Sequence, residues 1–343
     1  MRNRTKYRSI LFSITLFIIL NFVQTGKSQE LNNFLVDSIN SKIINFINHD
    51  TTKKGILFGK LNEKTNDIQI FTKGVIDSKN DLKLACPITK PCLSYIIIKE
   101  DINLNATIDK WFPVESGYQK SNSITIKMLL LNTSGIKEFA RLIPVHPDSA
   151  ITPIEAINVA YKNKNLNFRP GEKFEYSNTN FNILGIILEK VTGKSFDQLV
   201  KKYFGDIAPT LRMDDGKGNY PKGYMKPWPF HYGATGYSGS LISTAEDAMK
   251  AFSYITNQPE FKLMSDWHVR THNQNMLYGF GIFGYKDYHG LGKAIFYDGN
   301  MIACQMYILK IDNVVYYFHT AHIENTNRLY NLVREIVLLV HNS

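Results

Sequence analysis

Cysteine is scarce in this chain, three in 343 residues, which excludes a fold stapled by disulfides. A chain of this length holds itself together with its own core. Glycine and proline, 22 and 12, are too few for a collagen-like or low-complexity protein. Acidic residues are outnumbered, 30 against 40 basic, for a formal charge of +10. Such an excess invites a nucleic-acid or membrane-surface partner. What is present in quantity is apolar: 44% of residues are hydrophobic and 13% aromatic, the composition of a folded globular chain.

Long hydrophobic runs are missing except at the start. Arg2, Arg4, Lys6 and Arg8 precede an apolar run from Ile10 to Val23, followed by Gly26, Lys27 and Ser28. A basic start, about 14 apolar residues and small residues before a cleavage point have the form of a secretory signal peptide over residues 1–28. The run is shorter than the ~20 residues of a bilayer-crossing helix. Cleavage would remove five basic residues and no acidic one, leaving 35 against 30. The remaining +5 is spread along the chain, so nucleic acid drops out as a leading partner. These features predict an exported protein, periplasmic or secreted, with no membrane span after the leader.

Apolar spacing predicts a helix over Leu31–His49, then strands at Gly55–Gly59 and Ile68–Val75 around a polar turn at Asn62–Asn66. From about Ile88 to Asp215 the pattern is mostly helical, best over Asn180–Val191. Strand character returns at Phe280–Tyr285, Ala294–Tyr297, Ile302–Leu309 and Val314–His319, before a helix over Asn327–Val340. The fold class predicted is α/β, of the α+β kind: one antiparallel sheet built from both chain ends and flanked by terminal helices, plus a helical domain. Residues 29–87 and about 228–343 form the α/β part, and about 88–227 the helical part.

Three stretches carry a family resemblance. They are Ile124–Ile136 (ITIKMLLLNTSGI), Arg169–Phe181 (RPGEKFEYSNTNF, running on to Val191–Ser195, VTGKS) and Gly239–Asp247 (GSLISTAED). In order and spacing they resemble the serine β-lactamase family in its class C, penicillin-binding-protein and esterase branch. That resemblance implies a β-lactamase/DD-peptidase-like fold and a four-part site. A Ser-x-x-Lys at a helix start places an amine one turn from the nucleophilic hydroxyl. A Tyr-x-Asn supplies a second proton-transfer group and an amide that holds substrate. A Lys or His followed by x-Gly borders the site from an inner strand, and two backbone N–H groups form the oxyanion hole.

Set on this chain, the Tyr-x-Asn is Tyr176, Ser177 and Asn178, and Lys90 of Thr89-Lys90-Pro91 takes the lysine position. The nucleophile position is Pro87. Proline has neither a hydroxyl to attack with nor a backbone N–H for the oxyanion hole, although the first turn of a helix accepts it readily. In a related catalytic logic, losing the nucleophile costs about 10⁶ in rate. On the inner strand Gly299 is kept, but the cation is replaced by Tyr297. The catalytic positions retained are therefore Lys90 and Tyr176, with Asn178, Tyr297 and Gly299 as substrate-binding positions.

Several residues leave two readings open. Cys86, next to Pro87 and near a helix N-terminus, is either a displaced nucleophile with Lys90 as its base or a small packing residue. A Cys86–Cys92 disulfide would need two thiols on different faces of a helix. Lys90 and Tyr176 either still touch a ligand or are held by packing alone. The aromatic cluster Tyr224, Trp228, Phe230, His231, Tyr232 and Tyr237 is either core or the lining of a groove. His289, His319 and His322 lack any metal-ligand spacing, so no metal and no cofactor is expected. Asn105 and Asn132 begin Asn-x-Ser/Thr sequons. The sequence thus predicts an exported, penicillin-binding-protein-like chain that is catalytically inactive and binds a peptidoglycan-like peptide or a protein in its old cleft. The alternative is an active hydrolase of esters, amides or β-lactams using Cys86 or another nucleophile.

Overall fold

The computed structural model of the chain describes residues 35–46, 55–74, 88–143, 151–214, 236–267, 269–271, 275–301, 304–320 and 326–341. The leader at 1–28, Cys86, Pro87, His322 and the aromatic positions 224–232 lie outside the described residues. The described residues fall into two compact units, one holding the two terminal helices and the other the chain between them. In the first, α1 covers residues 35–46, within the span expected from its apolar face.

The second unit opens with a hairpin of β1 (Ile56–Asn62) and β2 (Asp67–Lys73). Its turn rests on residues suited to it: Asn66 takes a left-handed φ of 59°, and Asn62 Oδ1 accepts from the Lys64 N–H at 3.0 Å. Helical elements follow: α2 (Thr89–Lys99), α3 (Ile126–Leu130), α4 (Pro153–Ala160), α5 (Asn178–Thr192) and α6 (Phe196–Phe204). After the short strands β3 (Arg212–Met213) and β4 (Leu241–Ile242) come α7 (Ala245–Asn257) and α8 (Phe261–Met264). Then β5 (Val269–Arg270), β6 (Met276–Tyr278), β7 (Phe283–Tyr285), β8 (Ala294–Met301), β9 (Cys304–Ile311) and β10 (Val314–Thr320) run in succession. The C-terminal helix α9 (Thr326–His341) belongs with α1, to which Lys42–Glu335 ties it at 2.8 Å.

Among the described residues, eight strands form one antiparallel sheet in the order β2-β1-β10-β9-β8-β7-β6-β5. The hairpin from early in the chain is thus zipped to strands from its end, as the sequence pattern predicts, with the helical stretch inserted between them. Paired residues project to the same side of a sheet. Gly59, Tyr317, Ile308 and Tyr297 therefore form one row across β1, β10, β9 and β8, and Leu57, His319, Met306 and Gly299 form the next row on that side. The same side supplies Leu61 and Val315 to the main core, which also takes Leu93 and Ile96 from α2, Leu184 and Leu188 from α5, and Phe252 from α7. The other side carries stacked rings, among them Phe58 with Tyr316 and Phe296 with Tyr307.

Much of the motif sequence proves to be punctuation for helices. Thr125 caps α3 through the Met128 N–H, and Thr244 caps α7 through the Asp247 N–H. In VTGKS, Gly193 ends α5 in a left-handed conformation and Ser195 begins α6 with a capping box to Gln198. Several strand boundaries differ from expectation: β1 runs on through Asn62, beyond the expected end at Gly59. The strand predicted over Phe280–Tyr285 begins only at Phe283, because Gly281 takes φ +67° and turns the chain back. The strand predicted to start at Ile302 starts at Cys304, and β8 instead extends through Met301.

Candidate functional site

The first turn of α2 is held by a segment nearly 150 residues away. Thr89 Oγ1 accepts from the Leu241 N–H at 3.1 Å, and the Lys90 ammonium donates to the Ser238 carbonyl at 2.5 Å. Lys90 is buried, and its Nζ lies 5.3 Å from the ring centroid of Tyr176, 5.5 Å from Phe181 and 5.7 Å from Tyr297. One carbonyl and three ring faces thus surround the cation, each favourable to it. Gly281 permits this packing. A Cβ there would stand 2.5 Å from Ser94 Oγ and 3.0 Å from the Lys90 carbonyl, so any side chain would push the turn off α2.

Tyr176 and Asn178 sit where the chain enters α5, and the first motif block holds them in place. Asn132, in the left-handed region at φ 55°, is buried and bonded on every polar group. Its Oδ1 accepts from the Ser177 N–H at 3.1 Å and from Asn180 Nδ2 at 2.8 Å, while its Nδ2 donates to the Tyr278 hydroxyl at 2.8 Å. Its carbonyl accepts from the Glu175 N–H at 2.9 Å. Ser134 Oγ donates to Asn180 Oδ1 at 2.7 Å, and the Glu138 carboxylate accepts the Asn178 N–H at 2.5 Å and the Ala140 N–H at 2.9 Å. An amide in this position has no room for a glycan, so the sequon at Asn132 is a structural asparagine. Asn132→Ala is expected to destabilise the protein by about 2 kcal/mol or more, since it orphans buried partners; thermal unfolding against wild type measures it.

Tyr297 reaches the same place from β8. Its hydroxyl lies 3.0 Å from that of Tyr176, which in turn donates to Asn178 Oδ1 at 3.3 Å. Tyr278, which accepts from Asn132, lies close enough to interact electrostatically with both, making a cluster of three phenols. Burial, reinforced by the neighbouring phenols, holds Tyr297 well above the ordinary tyrosine range, so it stays protonated and uncharged at neutral pH.

Of the residues expected from sequence, the structure therefore brings together Lys90, Tyr176, Asn178 and Tyr297. Gly299 lies two residues further along β8, on the same side of the strand as Tyr297. Pro87 and Cys86 lie outside the described residues, one and two positions before the first described residue, Ile88. Cys92 is a free, fully buried thiol, and burial pushes its pKa up, which makes it a packing residue. Tyr237, the described member of the aromatic cluster, packs over Gly185 and donates to Glu189 Oε2 at 2.8 Å. Sequence reasoning missed Asn132, Phe181, Tyr278 and Ser238 as parts of the site. The first two lie inside matched blocks, but their roles depend on partners far along the chain. It also missed Asn182, one turn beyond Asn178 on α5, which is fully buried with no hydrogen-bond partner for either amide atom. Among the described residues no group of His, Cys, Asp or Glu could hold a metal.

Comparison with known proteins agrees with this geometry. The family model described as Beta-lactamase matches residues 93–337. Protein Flp of Staphylococcus aureus (strain MW2) is 34% identical over 109 residues, a match covering 30% of this chain and 21% of that protein. The chain thus spans about a fifth of the length of that relative. Among solved structures, a D-amino acid amidase from Ochrobactrum anthropi SV3, complexed with L-phenylalanine, superposes with a TM-score of 0.73 at 15% identity, covering 89% of this chain and 99% of that one. The octameric penicillin-binding protein homologue from Pyrococcus abyssi gives 0.69 at 20% identity, covering 89% and 77%. At these identities the structures establish a shared fold.

Proposed function

The chain belongs to the serine β-lactamase family, and from that premise we propose that it is an exported, penicillin-binding-protein-like member that has lost acyl-transfer chemistry and acts by binding in the inherited site. One observation carries the reading: proline at position 87, where the motif Pro87-Ile-Thr-Lys90 requires the nucleophilic serine. Proline removes both the attacking oxygen and an oxyanion-hole N–H at one position. The surroundings support the loss. The Lys90 amine that would take a hydroxyl proton is hydrogen-bonded to the Ser238 carbonyl. The Tyr176 hydroxyl is bonded to Asn178 and Tyr297.

The basic leader and apolar run at 1–28 support export. Among the described residues no helix is long and apolar enough to cross a membrane. A peptidoglycan-like peptide or a protein partner suits a site of this descent as its ligand.

The reading is tested with a chromogenic cephalosporin, a p-nitrophenyl ester and a fluorescent penicillin, applied to wild type, Cys86→Ala and Pro87→Ser. Wild type and Cys86→Ala are expected to show neither turnover nor covalent labelling, with any labelling confined to Pro87→Ser. Turnover by wild type that vanishes in Cys86→Ala would establish a cysteine hydrolase in its place.

A further inference from the structure

The two edges of the eight-stranded sheet are built differently. At one, β5 is only two residues long. At the other, β2 runs seven residues, Asp67–Lys73, and its register against β1 is unbroken. Short strands, prolines, bulges and charges along the strand are what usually protect an edge from pairing. β2 has none of the first three, and its charges stand only at its ends, with IQIFT between them.

The register also fixes where its backbone groups point. The Glu63 N–H donates to the Asn313 carbonyl, continuing the ladder of β1 with β10. Bonded pairs alternate along an antiparallel ladder. The odd-numbered positions of β1 therefore bond β10 and the even-numbered ones bond β2. On β2 this leaves Ile68, Ile70 and Thr72 with their N–H and C=O groups directed out of the sheet. Among the described residues no strand pairs with that side. Apolar side chains are left half covered on both sides of the edge. Ile68 and Ile70 lie half-buried against the main core, and the half-buried Phe71 stacks on Phe58 at 5.7 Å.

The strand is complementary to itself. Laid antiparallel on β2 of a second copy with Ile70 opposite Ile70, it sets Ile68 opposite Thr72 at both ends. Outward backbone groups then meet outward groups at all three pairs. At the non-bonded pairs, where side chains approach most closely, Gln69 meets Phe71 and Asp67 meets Lys73. Opposite charges directly across a ladder stabilise it. Both residues are exposed, and neither has an ion pair among the described residues. Moving the twofold axis to Gln69 or to Phe71 shortens the overlap and sets Asp67 against Phe71, or Lys73 against Gln69.

We propose that β2 is a homodimerisation edge: two copies of the chain pair antiparallel through Asp67–Lys73 about a twofold axis at Ile70, joining their sheets into one. Such an edge seam is smaller than a standard protein interface, so sedimentation velocity of the purified protein is expected to show a reversible dimer with a dissociation constant of about 1–100 μM. Thr72→Pro removes an outward N–H at an edge position where proline is tolerated, and it is expected to weaken the dimer at least ~10-fold. Lys73→Asp and Asp67→Lys each place like charges at both ends of the seam and should also weaken it. The double variant, or the two single variants mixed in equal amounts, should restore it. These exposed charge changes carry the test even if the proline variant fails to fold. A protein that stays monomeric at ~200 μM overturns the proposal, including one whose edge takes an extended peptide of another protein instead. So does a dimer that is indifferent to Thr72→Pro and Lys73→Asp, or one that the paired charge reversal does not restore.

Discussion

Lys310→Met is expected to lower the stability of the protein by about 3–5 kcal/mol, because it strands a buried carboxylate. The Lys310 ammonium is bonded in full: 2.7 Å to Glu63 Oε1, 2.7 Å to Asn257 Oδ1 and 3.1 Å to Thr256 Oγ1. Glu63 Oε1 also accepts from Ser253 Oγ at 2.6 Å and Asn257 Nδ2 at 3.2 Å. The two charged side chains are only 8% and 10% exposed. Together they join the β1–β2 turn, the end of α7 and β9. Removing one charge leaves the other without its counterion in a site with little water to replace it. Removing both should cost clearly less than the sum of the single losses. Urea unfolding of Lys310→Met, Glu63→Met and the double variant measures this, and additive losses would show that the two groups are not coupled. The exposed pair Lys250–Glu246, one helical turn apart on α7, should give almost nothing in the same assay.

Acid should weaken the protein through His319. This residue lies in β10 between Leu57 and Met306, on the side of the sheet that supplies the main core, and it is fully buried. Burial pushes its pKa down to about 3, from an ordinary value of 6.5. A base whose pKa is lower in the folded state contributes fully above its unfolded pKa and loses that contribution as pH falls towards the folded one. The window therefore opens at pH 6.5 and closes near pH 3. Between pH 6.5 and 4.5 the expected loss is about 2–3 kcal/mol, at ~1.4 kcal/mol per pH unit. His319→Met removes the titrating group while keeping an apolar side chain of similar length. The drop in unfolding free energy from pH 7.5 to 4.5 should be smaller in the variant than in wild type by that amount. Carboxylates titrate in both proteins and cancel in the difference. Equal drops would mean that His319 is protonated without penalty in the fold.

These two predictions depend on parts of the molecule that were legible to different degrees. The hairpin at β1 and β2 was readable because alternation and a polar turn are properties of neighbouring residues. Helix α5 was readable for the same reason, with its apolar face repeating every three to four residues. The short strands β5 and β6 were not, because two or three residues carry no period; the sheet edge they join defines them. At the site, Lys90, Tyr176, Asn178 and Tyr297 could be named from motif spacing. Asn132 could not be assigned its role, since its threonine and serine neighbours suggest a glycan acceptor as readily as a buried hub.

The sequence by itself determined that position 87 offers neither hydroxyl nor N–H, and that the inner strand carries a phenol in place of a cation. Both are covalent facts. Only the tertiary structure decided what Lys90 and Tyr297 do. The Lys90 ammonium meets a carbonyl 148 residues away, the Tyr297 hydroxyl a phenol 121 residues away, and Asn132 a tyrosine 146 residues away. Local periodicity does not encode such pairings. They arise when helices and sheet pack, because a buried cation or hydroxyl must then find its partner among whatever the fold places beside it.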